Sequence, residues 1–276
     1  MIKNTNKPTI TGVVIARNEE KMILHCLLTL QWCDKLLVID NGSTDSTADI
    51  AEKAGAKVIS FKADSFSRVR DEALKHVSTD WLVYVDADER ITPTLAKEIA
   101  VHTETNTAAA LTFSRKNYFF GFPFSHGGWE DDTVTRAFRV ASLEGWSGDI
   151  HESARWKGEN VLLHSPLVHF THRSVVENIR KSAEWTPMEA AAFIEAKIPP
   201  VEFKTILRKG ILEFWRRAIR DKGYKDGTVG LIESLVQAMN RMWVYIQIWE
   251  LQQEPSIADR YTYLEDEIQK KWQKDS

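Results

Sequence analysis

The sequence predicts an α/β protein: a Rossmann-like domain with a mixed sheet, followed by a helical C-terminal region. Three patterns lead to this prediction. Apolar strands alternate with amphipathic helices up to residue 88, short β-rich runs with turn residues follow to about residue 170, and helical patterns continue beyond Ser174. We therefore predict a first domain over 1–172 and a helical region over 173–276.

The alternating part is predicted to form a parallel sheet with helices on both faces. Its strands are short and apolar, and each helix carries its apolar residues on one side. The predicted strands are Ile10–Ala16, Lys35–Asp40, Lys57–Phe61 and Trp81–Val85, and the predicted helices are Asn18–Gln31, a helix from about Asp45 to Gly55, and Ser67–Val77. Ligands of such sheets bind beyond the carboxyl ends of the strands.

Composition narrows the class of protein. The 276 residues are 43% hydrophobic and 27% charged, and the net charge of −3 gives no sign of nucleic-acid binding. Cys26 and Cys33 lie on or near one apolar helical pattern, which is typical of reduced core cysteines in a cytoplasmic protein. The N-terminal residues lack the apolar core of a signal peptide, and no apolar run reaches the length of a membrane span.

Polar residues follow each predicted strand, and the most informative are Asp86 and Asp88. They come directly after the apolar run Trp81–Val85, where two carboxylates at the end of a strand can converge on one point. Hard oxygen ligands with open positions suit Mg²⁺ or Mn²⁺ that substrate phosphates also hold. Glu89 could reach the same cation or pair with Arg90. The glycine-rich loops of dinucleotide-binding and P-loop proteins are absent after the first strand.

Four stretches together resemble the signatures of family 2 glycosyltransferases. They are Val14–Glu20, Val38–Thr47, Arg70–Leu74 and Val85–Glu89. The resemblance implies a GT-A fold, a nucleotide-sugar donor such as a UDP-sugar, a divalent metal and inversion at the anomeric carbon. It also implies that the donor contacts Ala16, Arg17, Asn18, Glu19, Asp40, Gly42, Ser43, Arg70, Asp86 and Ala87.

Downstream motifs resemble the subgroup that contains bacterial lipopolysaccharide core glucosyltransferases (the WaaE type). They include Gly127–Trp129, Arg136–Arg139, His151-Glu152 and Leu167–His169. This resemblance implies transfer of a hexose, with glucose from UDP-glucose expected, to a saccharide or glycolipid acceptor of the bacterial envelope. The alternatives are a peptide O- or S-glycosyltransferase of the same fold, and a sugar-nucleotide-binding protein without catalysis.

An inverting transferase needs a base for the acceptor hydroxyl. Glu152 is the preferred candidate, Asp131 and Asp132 are the alternatives, and an ion pair with Arg155 is the structural interpretation of Glu152. His151 and His169 could each add a nitrogen ligand to the metal held by Asp86 and Asp88, although a histidine on a β run, such as His169, is more often a core residue.

The C-terminal region suggests two surfaces. Apolar residues at alternating spacings of three and four predict a seam for another helix, in the same chain or in a homodimer: Ile232, Leu235, Met239, Met242, Ile246 and Trp249. Basic and aromatic residues mix between Lys204 and Lys225. This mixture favours contact with an anionic glycolipid or membrane surface, at the inner face of the bacterial inner membrane.

Overall fold

A computed structural model describes residues 7–105, 107–148 and 153–275. The chain divides into two compact units. The first comprises the described parts of Met1–Tyr118 and Asp131–Thr171, and the second comprises the described parts of Phe119–Glu130 and His172–Ser276. Phe119–Glu130 thus groups with the C-terminal helices, although it lies within the predicted domain 1–172.

The first unit is built on a mixed sheet. Its strands are β1 (Ile10–Ala16), β2 (Lys35–Asp40), β3 (Lys57–Ser60), β4 (Trp81–Asp86), β5 (Glu89–Arg90), β6 (Ala110–Phe119, whose last residue belongs to the second unit), β8 (Thr133–Arg139), β9 (Leu143–Ser147), β10 (Ser153–Trp156), β11 (Asn160–Leu162) and β12 (Leu167–Thr171), while β7 (Phe122–Phe124) belongs to the second unit. The sheet order is β3-β2-β1-β4-β8-β6-β12-β5, and β9 pairs separately with β10. Strands β1 to β4 are parallel, and β8 is antiparallel to β4 and β6.

The central strands are apolar on both faces because both faces are covered. Val14 of β1 and Val85 of β4 belong to one hydrophobic cluster, whereas Val13 and Tyr84 belong to another. Neighbouring residues of a strand point to opposite faces, so the two clusters lie on opposite sides of the sheet. This explains why the strands appear in the sequence as continuous apolar runs rather than as alternating ones.

The helices of the first unit are α1 (Ile23–Leu28), α2 (Thr47–Lys53), α3 (Phe66–Lys75) and α4 (Pro93–Glu104). The predicted helix Asn18–Gln31 is wrong at both ends. Asn18 has a φ of +56°, a conformation that interrupts a right-handed helix. Its side-chain oxygen also accepts a hydrogen bond from the Thr44 amide at 2.8 Å, so the segment before Ile23 forms a loop instead.

Strand register brings the predicted site residues to one edge of the sheet. Ala16 pairs with Asp40 on one side of β1, and Ile15 pairs with Asp86 on the other. Strand β1 lies between β2 and β4, so the order of the strands reverses there. Ligands of open α/β sheets bind at such a switch point, which places Asp40 and Asp86 where a ligand is expected.

The second unit is largely helical. Its long helices are α5 (Val175–Glu195), α6 (Phe203–Trp215), α7 (Gly227–Leu251) and α8 (Ile257–Asp275), and a π-type turn, Arg216–Arg220, continues α6. A small core formed by residues including Ala190, Ile206 and Tyr245 joins α5, α6 and α7. None of the helices in the described part of the chain has the length and apolar character that crossing a bilayer requires.

The predicted seam on α7 is buried only in part: its members Met242 and Ile246 pack against the core that joins α5, α6 and α7, and the others are exposed. Ile232, Leu235, Met239 and Trp249 keep 41%, 51%, 46% and 42% of their surfaces exposed. The buried face is shifted around the helix and contains Gly230, Glu233, Ser234, Ala238, Val244, Tyr245 and Ile248. Small residues such as Gly230 and Ala238 allow close packing, which the spacing of large apolar residues alone could not show. Pairing of the exposed seam with a second copy stays a prediction.

Candidate active site

The loops after β1 and β2 are tied to each other at the switch edge. The Asn18 amide donates a hydrogen bond to Ser43 Oγ at 3.0 Å, and the Glu19 amide donates to Thr47 Oγ1 at 2.8 Å. Gly42 adopts a φ of +77°, which glycine tolerates without strain, and this turns the chain after β2. Residues predicted to contact the donor on two separate loops therefore lie side by side.

Asp40 closes this group at the end of β2. Its side chain is almost fully buried, and both carboxylate oxygens lie 3.3 Å from the Ser43 amide. Ala16, opposite Asp40 on β1, is also buried, whereas Arg17 is exposed. The structure thus brings Ala16–Glu19, Asp40, Gly42 and Ser43 together at one edge.

Asp86 is held by two arginines. Its carboxylate accepts a hydrogen bond from Arg136 on β8, and Arg70 Nη2 on α3 lies 3.7 Å from its other oxygen. Partial removal from water alone would raise the pKa of Asp86, but the positive charges of Arg136 and Arg70 lower it to about 2. Asp86 is therefore ionised and already paired with cationic side chains. Ala87, next in the chain, is buried.

Glu89 lies beneath this pair with no exposed surface. The sequence suggested a cation or Arg90 as its partner, and contact with a cation stays a prediction. The carboxylate lies 3.0 Å from Arg136 Nη2 and 3.6 Å from Arg115 Nη1, and it accepts a hydrogen bond from the Asp86 amide, whereas Arg90 donates to the backbone oxygen of Glu89. Complete burial raises the pKa of Glu89, against the opposing attraction of Arg136.

Asp88 and His169 face each other across the end of the sheet. The Nε2 atom of His169 on β12 lies 3.8 Å from Oδ2 of Asp88. Burial lowers the pKa of His169 to about 4, so the imidazole is neutral near pH 7. On the other side of the ring, His169 Nδ1 is 2.7 Å from the side-chain oxygen of Asn117.

Asp88 and His169 provide some, but not all, of the ligands that a divalent cation needs. A carboxylate oxygen and a neutral imidazole nitrogen both offer lone pairs, and Mn²⁺ accepts both kinds of ligand. In the described part of the chain, no three or more His, Cys, Asp and Glu side chains form a group that could hold a metal unaided. Asp88 and His169 would therefore need further ligands from a substrate, as phosphate oxygens provide for Mg²⁺ and Mn²⁺. The Asp86 oxygens contact arginines instead.

The candidate bases have different surroundings. Asp132 accepts two hydrogen bonds from Arg115, at 2.7 and 2.8 Å, and a third from the Asn117 amide nitrogen at 2.8 Å. Asp131 is exposed. Glu152 lies outside the described residues, as does His151. Both oxygens of Asp132 are held by Arg115 and Asn117, and these contacts would have to break before the carboxylate could approach an acceptor hydroxyl, so the geometry does not favour Asp132 as the base.

A cavity of about 390 Å³ adjoins Asp86. Its lining residues are Arg70, Val134, Thr135, Arg136, Trp146, Ser153, Ala154 and Trp156. Arg136 Nε is buried and has no hydrogen-bond partner among residues 7–105, 107–148 and 153–275. The cavity therefore combines positive charge, an unsatisfied donor and two indole rings, which suits an anionic ligand that carries a sugar.

Two parts of this site could not be found from the sequence. Arg115 and Asn117 lie on β6 and both contact Asp132. Arg115 also lies near Glu89, and Asn117 contacts His169, but the two residues belong to no recognisable sequence motif. Arg136 belongs to a quoted motif, yet nothing in the sequence identifies Asp86 and Glu89 as its partners. Polar residues recur along β6 in the sequence, but this pattern does not show which residues their side chains contact.

Comparison with known proteins identifies the family. The family described as "Glycosyl transferase family 2" matches residues 11–179, which is more than half of the chain. The chain belongs to this family. The resemblance stated above is thereby confirmed, as is the α/β fold class, and glycosyl transfer is the chemistry of the family.

Relatives of this family 2 chain include "Lipopolysaccharide core biosynthesis glycosyltransferase LpsC" from Rhizobium meliloti (strain 1021). It is 24% identical over 270 residues, which cover 93% of this chain and 99% of LpsC. A TPR repeat-containing protein from Synechococcus elongatus is 34% identical over 105 residues, 37% of this chain and 26% of that protein. This chain thus spans about a quarter of the second relative.

Solved structures show weaker similarity. Mannosyl-3-phosphoglycerate synthase from Rubrobacter xylanophilus matches with a TM-score of 0.36 and 24% identity, over 40% of this chain and 41% of that chain. Glucosyl-3-phosphoglycerate synthase from Mycobacterium tuberculosis, in complex with Mn²⁺, UDP and glucosyl-3-phosphoglycerate, matches with a TM-score of 0.34 and 23% identity, over 41% and 44% of the two chains.

Proposed function

We propose that this protein is a metal-dependent inverting glycosyltransferase that transfers a hexose from a UDP-sugar, with glucose as the expected hexose. The acceptor is a saccharide of the lipopolysaccharide core or of a related envelope glycan. The observation that carries the proposal is the juxtaposition of Asp88 and His169, 3.8 Å apart, at the switch edge of the sheet. The near full-length similarity to LpsC supports the choice of acceptor class.

The residues of the site divide the donor between them. In this proposal Asp40 and the Ala16–Glu19 loop bind the nucleoside, and the guanidiniums of Arg70 and Arg136, which line the cavity, bind the diphosphate. Asp88 and His169 would hold Mn²⁺ or Mg²⁺, and Asp86 stays a predicted ligand despite its arginine partners. When bound, the metal supplies positive charge to the departing diphosphate.

The transfer itself needs one proton acceptor. The acceptor hydroxyl oxygen forms a bond to the anomeric carbon, the bond from that carbon to the diphosphate breaks, and UDP leaves with the electron pair. The hydroxyl proton passes to a carboxylate of this chain. Glu152 remains the proposed base, because Asp132 is fully engaged by Arg115 and Asn117.

Donor binding is tested first. The intact protein is heated with a panel of nucleotide sugars, with Mn²⁺ or with a chelator, because a ligand that binds only the folded state raises the melting temperature. We expect UDP-glucose with Mn²⁺ to raise it, and Asp88→Asn to remove the metal-dependent part. The exposed residue Asp49 on α2 provides the matched control, Asp49→Asn. If none of the nucleotide sugars raises the melting temperature, the proposal is contradicted.

Transfer is tested with the donor that binds. Incubation with lipopolysaccharide core oligosaccharides should release UDP and add a hexose, which mass spectrometry detects. Glu152→Gln should retain donor binding and lose transfer, whereas Asp49→Asn should be active. Normal turnover by Glu152→Gln would assign the base to Asp131 or Asp132 instead. Transfer only to peptides would support a peptide glycosyltransferase, and binding without turnover on any acceptor would support a non-catalytic sugar-nucleotide-binding protein.

The outer face of α6 is proposed to contact the acceptor's membrane. Five large apolar residues, four positions apart, are all exposed and define what we call the outer ridge: Phe203, Leu207, Ile211, Trp215 and Ile219. Eight basic and three acidic residues lie between 202 and 225. Apolar ridges flanked by positive charge suit the surface of an anionic phospholipid bilayer, which we place at the inner face of the bacterial inner membrane.

A further inference from the structure

A chain of hydrogen bonds runs from Arg115 to His169. Arg115 donates to both oxygens of Asp132 through Nε and Nη2, at 2.8 and 2.7 Å. Asn117 Nδ2 donates to Asp132 Oδ2 at 2.8 Å, and Asn117 Oδ1 lies 2.7 Å from His169 Nδ1. Asn117, in the middle of this series of hydrogen bonds, is 1% exposed, so water has little access to it.

The chemistry of each group determines which atom donates in the hydrogen bond to its neighbour. A carboxylate that is paired with arginine only accepts hydrogen bonds, so the amide group of Asn117 must turn its nitrogen toward Asp132. Its oxygen then faces His169 Nδ1. Because an amide oxygen also only accepts, Nδ1 must carry the proton of the neutral imidazole. The other ring nitrogen, Nε2, is left with a lone pair.

The lone pair of Nε2 meets a second acceptor. Oδ2 of Asp88 lies 3.8 Å away, and a bare imidazole nitrogen and a carboxylate gain nothing from facing each other. The opposite tautomer would let Nε2–H donate to Asp88, but it would set the Nδ1 lone pair against the Asn117 oxygen. The hydrogen-bond chain therefore selects the tautomer in which His169 and Asp88 together attract a cation.

We propose that Asn117 and Asp132 are positioning residues that fix the Nδ1-protonated tautomer of His169 and thereby direct Nε2, with Asp88, toward a divalent cation. The proposal rests on the metal dependence proposed above. It also gives Asp132 a role that differs from the base considered in the sequence. Residues that orient a histidine ligand in this way typically contribute a factor of about 10–100 to metal affinity.

The tautomer is tested in the metal-free protein, without turnover. Histidine is labelled with ¹⁵N, and the His169 signal is assigned by its loss in His169→Gln. The wild type should show the shift pattern of an Nδ1-protonated neutral ring. Asn117→Leu, which removes the acceptor at similar volume, should convert His169 to the Nε2-protonated form. Asn160→Leu, which replaces an exposed asparagine of β11, should leave the His169 tautomer unchanged.

The effect on the cation is measured with Mn²⁺ alone, by the loss of the free-ion electron paramagnetic resonance signal. We expect Asn117→Leu to weaken Mn²⁺ binding by about 10–100-fold. In the His169→Gln background, Asn117→Leu should have no further effect on Mn²⁺ affinity, because the ring that Asn117 orients is gone. A structural role alone would weaken binding in both backgrounds.

Two results would overturn the inference: an Nε2-protonated ring in the wild type, or Mn²⁺ affinity that is unchanged by Asn117→Leu. The first is measured on the wild type and does not need Asn117→Leu, so failure of Asn117→Leu to fold leaves the inference testable. Failure of the proposed function looks different. In that case Mn²⁺ binding would depend on the tautomer as expected, but no nucleotide sugar would raise the melting temperature.

Discussion

Nη2 of Arg136 lies 3.0 Å from Oε1 of Glu89, and the Glu89 side chain has no exposed surface. The same guanidinium donates to Asp86, so one buried arginine compensates two carboxylates below the site. Removal of one partner of a buried ion pair leaves an uncompensated charge, whereas removal of both is far less costly. Arg70 and Arg115 lie farther from these carboxylates, at 3.7 and 3.6 Å, so Arg136 makes the main contribution to the stability of this pair of carboxylates.

Arg136→Met should lower the free energy of unfolding by about 3–5 kcal/mol, because it leaves Glu89 buried without its main partner. Urea unfolding followed by circular dichroism measures the change. Arg68→Met on α3, which replaces an exposed arginine, should alter stability by about 0.5 kcal/mol or less. The double variant Arg136→Met with Glu89→Leu should recover part of the loss. Equal stability of Arg136→Met and Arg68→Met would show that the pair is not compensated as described.

The two cysteines should be unreactive in the folded protein. Cys26 is fully buried, and burial raises the pKa of the Cys33 thiol from its ordinary 9.0 to about 12. Only the thiolate reacts with iodoacetamide, so near pH 8 the native protein should be alkylated about a thousandfold more slowly than the protein in urea. Mass spectrometry over time measures this. Rapid alkylation of Cys33 in the native state would mean that its surroundings open readily.

The strands and the position of the site could be predicted because they depend on local pattern. The run Trp81–Val85 is apolar as its two covered faces require, and Asp40 and Asp86 end strands whose carboxyl ends meet at one edge. Asp88 and His169 were both named as metal ligands from the sequence, and the structure places them 3.8 Å apart. That they bind a metal stays a prediction.

What could not be predicted depends on contacts between distant segments. Arg136 lies 50 positions from Asp86 along the chain, and no periodicity connects the two. The extent of α1 was misjudged because the hydrogen bond between Asn18 and the Thr44 amide competes with helix, and only the folded sheet brings these loops together. The buried face of α7 was misjudged for a similar reason, since small residues such as Gly230 decide how closely backbones approach.

Gly230→Ala should destabilise the second unit, although alanine favours helices. A Cβ at position 230 would lie 1.9 Å from the carbonyl oxygen of Gly223, so backbone atoms would have to move. Overpacking of this kind costs about 1–3 kcal/mol, which outweighs the gain of up to about 1 kcal/mol in helix propensity. Thermal unfolding measures the difference. Thr228→Ala, at an exposed position of the same helix, should change stability little. A higher melting temperature for Gly230→Ala would contradict this close packing.

The outer ridge of α6 leads to a prediction about lipid. Phe203 and Ile211 are 73% and 68% exposed, which is unusual for such apolar side chains unless something covers them. In flotation assays, the protein should rise with vesicles of phosphatidylglycerol and phosphatidylcholine and stay behind with phosphatidylcholine alone, because the flanking charge is positive. Phe203→Ser with Ile211→Ser should weaken binding by about tenfold or more per side chain.

Control variants distinguish binding through the outer ridge from non-specific binding of exposed apolar side chains to lipid. Val101→Ser and Leu162→Ser replace apolar side chains that are 58% and 59% exposed in the first unit, so they should bind vesicles as the wild type does. If the ridge instead covers a second copy of the chain, light scattering should give a dimer mass that Phe203→Ser with Ile211→Ser reduces, and vesicles should have no effect. Equal binding to neutral and anionic vesicles would exclude a role for the basic residues, because their attraction to lipid exists only where the surface is negative.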